Sequence, residues 1–194
     1  MRILLALLTL TMLFGLSGCA TSTTPANRFM LPDSQAESSG GPGAKHVLLV
    51  RSPRLAHYLD VDGIVLQLDD ISLNAARQHL WAEPLGRQLE RGMRARLGER
   101  LDDTRVLRDE GGYRASDAQF LRLEVDRFQG RYDGLAVASG QWQLLAADGT
   151  LVAMENFRAE IELDDDGYPA LVRALGRSWD QVADQVAETI RRHR

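Results

Sequence analysis

Histidines and aspartates are the residues of this chain whose chemistry could serve a metal site. The four histidines are scattered along the sequence, at His46, His57, His79 and His193. No two of them have the spacing that places a pair of imidazoles on one helix face, and the single cysteine cannot complete a zinc ligand set. Asp164-Asp165-Asp166-Gly167 lacks the alternate spacing of a calcium loop, so we expect a solvated turn there. The sequence therefore predicts no metal site and no cofactor.

Motifs of nucleophilic or phosphate chemistry are missing from the sequence as well. The chain contains no Gly-x-Ser-x-Gly elbow, and Gly40, Gly41 and Gly43 lie in a polar stretch without a preceding strand. We therefore predict that the protein is not an enzyme and has no catalytic residues. The formal charge of −4, from 23 basic and 27 acidic side chains, gives no indication of a nucleic-acid partner.

The only cysteine, Cys19, follows a segment with the order of a secretory signal. Arg2 is a short basic region, Ile3 to Leu16 is apolar, and the small residues Ser17 and Gly18 precede the cysteine. One cysteine cannot form an intramolecular disulfide. The apolar segment is shorter than the roughly 20 residues that span a bilayer. The alternative to a signal is a short hydrophobic anchor with a chance cysteine.

The sequence Leu16-Ser17-Gly18-Cys19 resembles the lipobox of bacterial lipoproteins. This resemblance implies a signal peptide of residues 1–18, cleavage before Cys19, a diacylglyceryl group on its thiol and an acyl group on its new amine. Several acyl chains, at about 0.8 kcal/mol per buried methylene, make a stable anchor. Because Ala20 and not an aspartate follows the cysteine, the resemblance implies attachment to the outer membrane, facing the periplasm.

The remaining chain is predicted to be a linker followed by one domain. Residues 19–44 are mostly polar, and Asp33 to Ala44 is rich in serine and glycine, which favours a flexible linker. Within it, the apolar island Arg28 to Pro32 is a candidate edge strand. Residues 45–194 have the length and composition of a single folded domain.

Apolar runs and alternation predict the strands. We expect strands at His46 to Arg51 and Gly63 to Leu68, with a weaker one near Ile71 to Leu73. Residues 121–125 alternate between apolar and charged side chains, which is typical of a strand with one buried face.

A hairpin is predicted around Ala147-Asp148-Gly149-Thr150. Asp-Gly between two apolar segments favours a two-residue turn in which both central residues have positive φ. Such a turn would place Leu145 opposite Val152 and Leu144 opposite Ala153.

Two long amphipathic helices complete the prediction, over residues 82–100 and Pro169 to Arg192. Pro84 would lie in the first turn, where proline is tolerated. The apolar stripes of the helices consist of Trp81, Leu85, Leu89, Met93, Leu97 and Leu101, and of Leu171, Leu175, Trp179, Val182, Val186 and Ile190. The first stripe could instead bind a partner, but core packing is the favoured interpretation. The predicted fold is α+β, with a largely antiparallel sheet and both helices packed on one face.

Two short motifs give the chain a family resemblance. Tyr58-Leu59-Asp60-Val61-Asp62-Gly63-Ile64-Val65 is followed by Trp81-Ala82-Glu83-Pro84-Leu85, both behind the lipobox and an early apolar island that ends in Leu31-Pro32. In this order they resemble the ABC-type transport auxiliary lipoproteins, the PqiC-like family of paraquat-inducible protein C. The resemblance implies an outer-membrane lipoprotein that works with an inner-membrane-anchored MCE-domain protein, whose rings form a conduit for lipid across the periplasm.

The family resemblance also implies a homo-oligomer without an ATPase of its own, in a system that contributes to membrane integrity. Two alternatives remain open: an accessory in envelope assembly, and a carrier that holds a lipid or small molecule inside the domain. Leu55, Tyr58 and Leu59, apolar residues in a polar connection, are the predicted contact with a partner or a second subunit. Trp81, Glu83 and Pro84 are expected to have structural roles at the start of the first helix.

Overall fold

The computed structural model describes residues 25–32, 43–111 and 118–193. The predicted signal peptide, Cys19 and most of the serine- and glycine-rich segment lie outside these residues. The two helices are α1 (Leu85–Arg100) and α2 (Tyr168–Arg192). The strands are β1 (Asn27–Phe29), β2 (His46–Val50), β3 (Arg54–Leu55), β4 (Gly63–Gln67), β5 (Leu73–Trp81), β6 (Thr104–Arg108), β7 (Gln119–Arg131), β8 (Leu135–Leu145) and β9 (Leu151–Glu162).

Strand β7 is the centre of one nine-stranded sheet. Strand β8 pairs antiparallel along one of its edges, and β9 pairs with β8. Along its other edge, β2, β3 and β4 pair with it in succession and in parallel, as segments of one interrupted strand. Strand β6 lies outside β2, and β5 and β1 lie outside β4.

The predicted α+β class is confirmed, with a sheet that is mixed in detail. The longest ladders, β7 with β8 and β8 with β9, are antiparallel, as expected. The parallel pairs arise because β2, β3 and β4 all run in the direction of β7. Local sequence patterns report alternation along a strand but do not report the direction of its neighbour.

Strand β5 and the start of α1 differ from the prediction. β5 extends from Leu73 to Trp81, so Trp81 ends a strand and does not begin a helix. Most side chains of β5 are exposed, and this hides the strand pattern. Pro84, at φ −49° and ψ 130°, has an extended backbone, and α1 therefore starts at Leu85. Strand β6 follows α1 and was missing from the prediction.

The β8–β9 hairpin has the predicted register along most of its length. Pairing from Leu135 opposite Glu162 to Leu144 opposite Ala153 is as expected, but Leu145 pairs with Leu151 and not with Val152. The turn explains the shift. Only Gly149 has a positive φ there, at 87°, which gives a three-residue loop with a glycine bulge in place of a two-residue turn.

Both helices pack against one face of the sheet and against each other. Every residue of the predicted α2 stripe is buried, which confirms its assignment as core. Trp179 lies at the centre, edge-on to Phe128 and Phe157 at 5.8 and 6.0 Å between ring centroids. Its indole N–H donates to the Leu89 carbonyl oxygen at 3.1 Å, which ties α2 to α1.

Candidate functional site

The segment nearest the predicted lipid anchor is fixed to the domain by polar contacts. The Leu31 backbone N–H donates to Gln88 Oε1 at 2.8 Å, and the Arg96 guanidinium donates to the Pro32 carbonyl oxygen at 3.2 Å. The Pro32 ring lies so close to Gly176 that a Cβ there would come within 3.0 Å of it. Residues 31 and 32 therefore bridge α1 and α2.

The edge strand expected near residues 28–32 corresponds to β1, which pairs in parallel with the end of β5. An aromatic stack reinforces this edge. The Phe29 ring lies 6.0 Å from the ring of His79, which stacks on Tyr168 at 3.9 Å. Because Tyr168 begins α2, the stack joins β1 and β5 to the helical layer. A pull on the chain before residue 27 would be transmitted into the core.

The predicted contact residues lie in the connection between β2 and β4, which we call the Tyr58 segment (residues 53–62). Leu55 belongs to β3 and is half-buried against the core. Leu59, in a 3-10 turn, is 1% exposed. In the isolated domain its side chain therefore contacts the interior and presents almost no surface to a partner.

Tyr58 fastens this segment to β7. Its hydroxyl oxygen lies 2.7 Å from both the Asp126 carbonyl oxygen and Gln129 Oε1. Burial raises the pKa of Tyr58, the nearby Asp126 carboxylate raises it further, and Arg127 opposes both. The hydroxyl is therefore a neutral hydrogen-bond donor at physiological pH.

The sheet face opposite the helices, which we call the outer face, contains a polar depression. A depression of about 330 Å³ is lined by Arg51, Ser52, Arg54, Arg122, Leu123, Glu124, Gln141 and Gln143. Two of its arginines are held by carboxylates, Arg51 by Asp109 at 2.8 Å and Arg54 by Glu124 at 3.3 Å. This arrangement can bind a polar surface through guanidinium and amide hydrogen bonds.

A second, apolar feature lies at the end of the sheet where β7 finishes. Four large apolar side chains are exposed in and beside the turns there, and we call this group the tip: Leu68, Ile71, Leu73 and Tyr132. An apolar groove of about 140 Å³ beside it is lined by residues that include Leu66, Leu135 and Leu171. Sequence analysis missed the tip, although Leu68 and Ile71 flank two aspartates in a turn, where polar residues are usual.

The histidines and acidic residues of the described chain segments do not converge on one site. Within the described parts of the chain, no group of three or more histidine, cysteine, aspartate or glutamate side chains could hold a metal ion. His193 Nδ1 lies 2.9 Å from the Thr189 carbonyl oxygen. Asp164 forms an ion pair with Arg177 at 2.8 Å, in the turn before α2.

The side chains of the motif before α1 have structural roles, although Trp81 ends β5 and Pro84 precedes the helix. Trp81 is buried against Phe128, with ring centroids 6.4 Å apart, and Leu85 is buried in the core. Glu83 binds Arg91 in an ion pair of 2.6 Å.

None of the helices among the described residues has the length and hydropathy needed to cross a membrane.

Comparisons with known proteins identify the family. Residues 29–187 match the family described as the ABC-type transport auxiliary lipoprotein component. This chain belongs to that family. The intermembrane transport lipoproteins PqiC of Escherichia coli strain K12 and of Shigella flexneri are each 34% identical to it over 179 residues, which cover 91% of this chain and 92% of each relative. The family resemblance found in the sequence motifs is thereby confirmed.

Two solved structures have a similar fold. A crystal structure of an uncharacterized protein superposes with a TM-score of 0.74 at 30% identity, over 86% of this chain and 99% of that one. A protein from Xanthomonas campestris superposes with a TM-score of 0.67 at 19% identity, over 86% of this chain and 98% of that one, and shows the same fold. As a family member, the chain is a lipoprotein auxiliary component of a transport system.

Proposed function

We propose that this chain is a non-catalytic outer-membrane lipoprotein of an MCE-type, ABC-associated system that moves lipid across the periplasm and supports membrane integrity. One observation carries the proposal: nearly the whole chain matches relatives named intermembrane transport lipoprotein PqiC. The lipobox at Leu16 to Cys19 supplies the attachment to the membrane. Acyl chains on Cys19, palmitate among them, hold the domain on the periplasmic side of the outer membrane.

The way residues 27–32 join the domain supports an anchored role. A tether without contacts to the domain would leave the domain free to move away from the membrane and to rotate. Here β1 is part of the sheet, and Leu31 and Pro32 are bound by Gln88 and Arg96 on α1. The point at which the chain leaves the domain toward Cys19 is therefore fixed.

The outer face is the surface we assign to the MCE-domain partner. Its depression combines three guanidinium groups, from Arg51, Arg54 and Arg122, with the amides of Gln141 and Gln143. Interfaces that form and dissociate are polar at their margins and enriched in arginine. The other face of the sheet, in contrast, is covered by α1 and α2 and forms the core of the domain.

Leu55, Tyr58 and Leu59 were predicted to contact a partner or a second subunit. Of these three residues, the proposal uses Tyr58, whose side chain lines the surface. Tyr58 lines a depression of about 230 Å³ on the outer face, together with Asp126 and Arg127. A neighbouring subunit or the MCE-domain protein would meet Tyr58 from this side, while Leu59 supports the segment from within. Assembly as a homo-oligomer would repeat this outer face around the conduit.

Affinity purification from cross-linked cells of its own species tests the proposal. The full-length acylated protein is the bait, a Cys19→Ser variant is the matched control, and bound proteins are identified by mass spectrometry. We expect an MCE-domain protein as the leading partner of the acylated bait and its loss with the control. Recovery of envelope assembly factors, or of a monomer with bound lipid and no protein partner, would contradict the conduit role and favour the accessory or the carrier.

A further inference from the structure

The apolar residues of the tip lie on both faces of the β4–β5 hairpin. Ile71 and Leu73 line the depression on the outer face, beside Gln67. Leu66 lines the groove on the helical face, and alternation along the chain places Leu68 on that same face. A flat protein partner would cover one face of a hairpin. An apolar medium that surrounds the turn would contact both.

The backbone of this turn does not require apolar side chains. Asp69 Oδ1 accepts the backbone N–H groups of Ile71 and Ser72 at 2.9 and 2.7 Å. In the β8–β9 turn, Asp148 Oδ1 accepts the Thr150 N–H at 2.9 Å in the same manner. That second turn has small and polar residues where the first has Leu68 and Ile71. The same turn chemistry therefore works without the apolar groups, and their presence calls for a contact outside the domain.

The chain that leads to the lipid anchor leaves the domain toward the tip. Strand β1 runs parallel to β5, and β5 begins at the tip with Leu73. Asn27 lies opposite His79, and because β5 carries three extra residues in its pairing with β4, His79 is only about three strand positions, or about 10 Å, from Leu73 at the tip. Cys19 lies eight positions before Asn27, and a fully extended chain of eight steps spans at most about 28 Å. The tether is thus long enough to bring Cys19 level with the tip or well beyond it.

The opposite end of the sheet is poorly placed for the same membrane. The pairing of β4 with its neighbours puts His79 about level with Phe128 of β7. The first residue of β7, Gln119, is nine residues further from the tip, or about 30 Å. To reach a membrane at that end, the chain before Asn27 would have to reverse its direction and extend fully.

Two charged residues beside the tip, Arg131 and Asp69, have polar partners. Arg131, at the end of β7, forms ion pairs with Asp133 at 2.8 Å and with Glu160 at 2.9 Å. Asp69 is engaged by the backbone of its own turn. Asp70 shares the outer-face depression with Arg127. Paired charges at this level are compatible with the head-group region of a bilayer, where polar groups remain hydrated.

We infer that the tip inserts into the lipid bilayer that holds the acyl chains of Cys19, as a hydrophobic wedge at the level of the head groups. The inference rests on the acylation included in the proposed function. Tyr132 suits this depth, because aromatic rings with a polar group concentrate at membrane interfaces. Anchor and wedge together orient the domain with the start of β7 directed away from the membrane.

Fluorescence quenching by lipid tests the wedge. Full-length protein is purified from membranes, acylation of Cys19 is verified by mass spectrometry, and the protein is reconstituted in vesicles of phosphatidylcholine with brominated acyl chains. The probe is Ile71→Trp at the tip, and the matched control is Leu151→Trp, at a half-exposed leucine at the other end of the sheet. The native tryptophans are buried and common to both variants.

We expect the Ile71→Trp probe to lose roughly half of its emission in brominated vesicles relative to unbrominated ones, as for an indole at the membrane interface, and the Leu151→Trp control to lose none. Equal quenching of the two would overturn the inference. A blue shift at position 71 without quenching would assign the tip to a contact with a second copy of this chain and would also overturn it, as would a chain without acyl groups on Cys19. Recovery or loss of an MCE-domain partner does not affect the quenching, so the two proposals fail separately.

Discussion

The Tyr58 segment and the tip are both connections that contain large apolar residues, yet only the Tyr58 segment is covered by the domain. The Tyr58 segment runs along the edge of β7 opposite β8. There β3 pairs with β7, and Leu59 is buried in the core. The tip extends past the end of that edge, and Ile71 is 88% exposed. Apolar side chains in a loop are therefore used for stability where a strand edge lies beside them. Where the sheet ends, they are available for contacts outside the domain.

Truncation of one leucine in each region tests this difference with the largest expected effect. Leu59→Ala removes a fully buried side chain and should lower the free energy of unfolding by about 2–5 kcal/mol. Leu68→Ala, at an exposed position, should change it by less than about 0.5 kcal/mol. Denaturant titration of both variants measures the two values. Similar losses for both leucines would show that the tip is also part of the core.

The clamp on Leu31 should have the next largest effect. Gln88→Ala removes the acceptor of the Leu31 N–H and leaves a buried donor unpaired, at a cost of about 1–3 kcal/mol. Amide hydrogen exchange at Leu31 should become faster by a larger factor than exchange in β8. Gln141→Ala, on the exposed outer face, is the control. If Leu31 stays protected in Gln88→Ala, the tether does not depend on this clamp.

Removal of the Tyr58 hydroxyl should have a smaller effect and a specific pH dependence. Tyr58→Phe loses the contacts to Asp126 and Gln129, at about 1 kcal/mol. Because burial raises the pKa of Tyr58 in the folded state, its contribution is complete below the unfolded pKa of about 10 and is lost as pH rises through the folded pKa. Unfolding curves measured across alkaline pH should therefore converge for the two proteins. Curves that stay parallel would contradict this account.

Charge reversal on the outer face should leave the fold intact and affect the partner alone. Arg54→Glu with Arg122→Glu changes two exposed side chains, so stability should change by less than about 1 kcal/mol. Cross-linking to the MCE-domain protein should fall strongly, whereas Arg173→Glu on the exposed side of α2 should leave it unchanged. Equal cross-linking for both would assign the partner to another surface.

The sequence predicts an element correctly where its pattern of apolar and polar residues corresponds to a single environment, such as a buried helix face. The stripe of α2 is buried along its whole length, and the β8–β9 register is correct up to Leu144. Strand β5 escapes such analysis because an exposed edge strand shows no apolar alternation. The shift in register at Leu145 depends on the type of turn. The pair Asp148-Gly149 does not determine that type, because a two-residue turn and a loop with a glycine bulge both accept it.

The candidate site is less predictable than the fold because it depends on which surfaces remain uncovered. Leu55, Tyr58 and Leu59 are apolar residues in a polar stretch, and so are Leu68 and Ile71. Only the pairing of β3 with β7 separates the two groups, and that pairing joins residues about 70 positions apart. Cys19 is read from local sequence alone, and its acylation remains a prediction.

Site-specific photo-cross-linking in cells tests the central claim most directly. A photoreactive amino acid is placed at Gln143 in the outer-face depression or at Arg173 on α2, in the full-length acylated protein. We expect an MCE-domain protein to be captured from position 143 and not from position 173. Failure to capture an MCE-domain protein from either position, with the protein folded and in the membrane fraction, would contradict a role as the outer-membrane end of a lipid transport system.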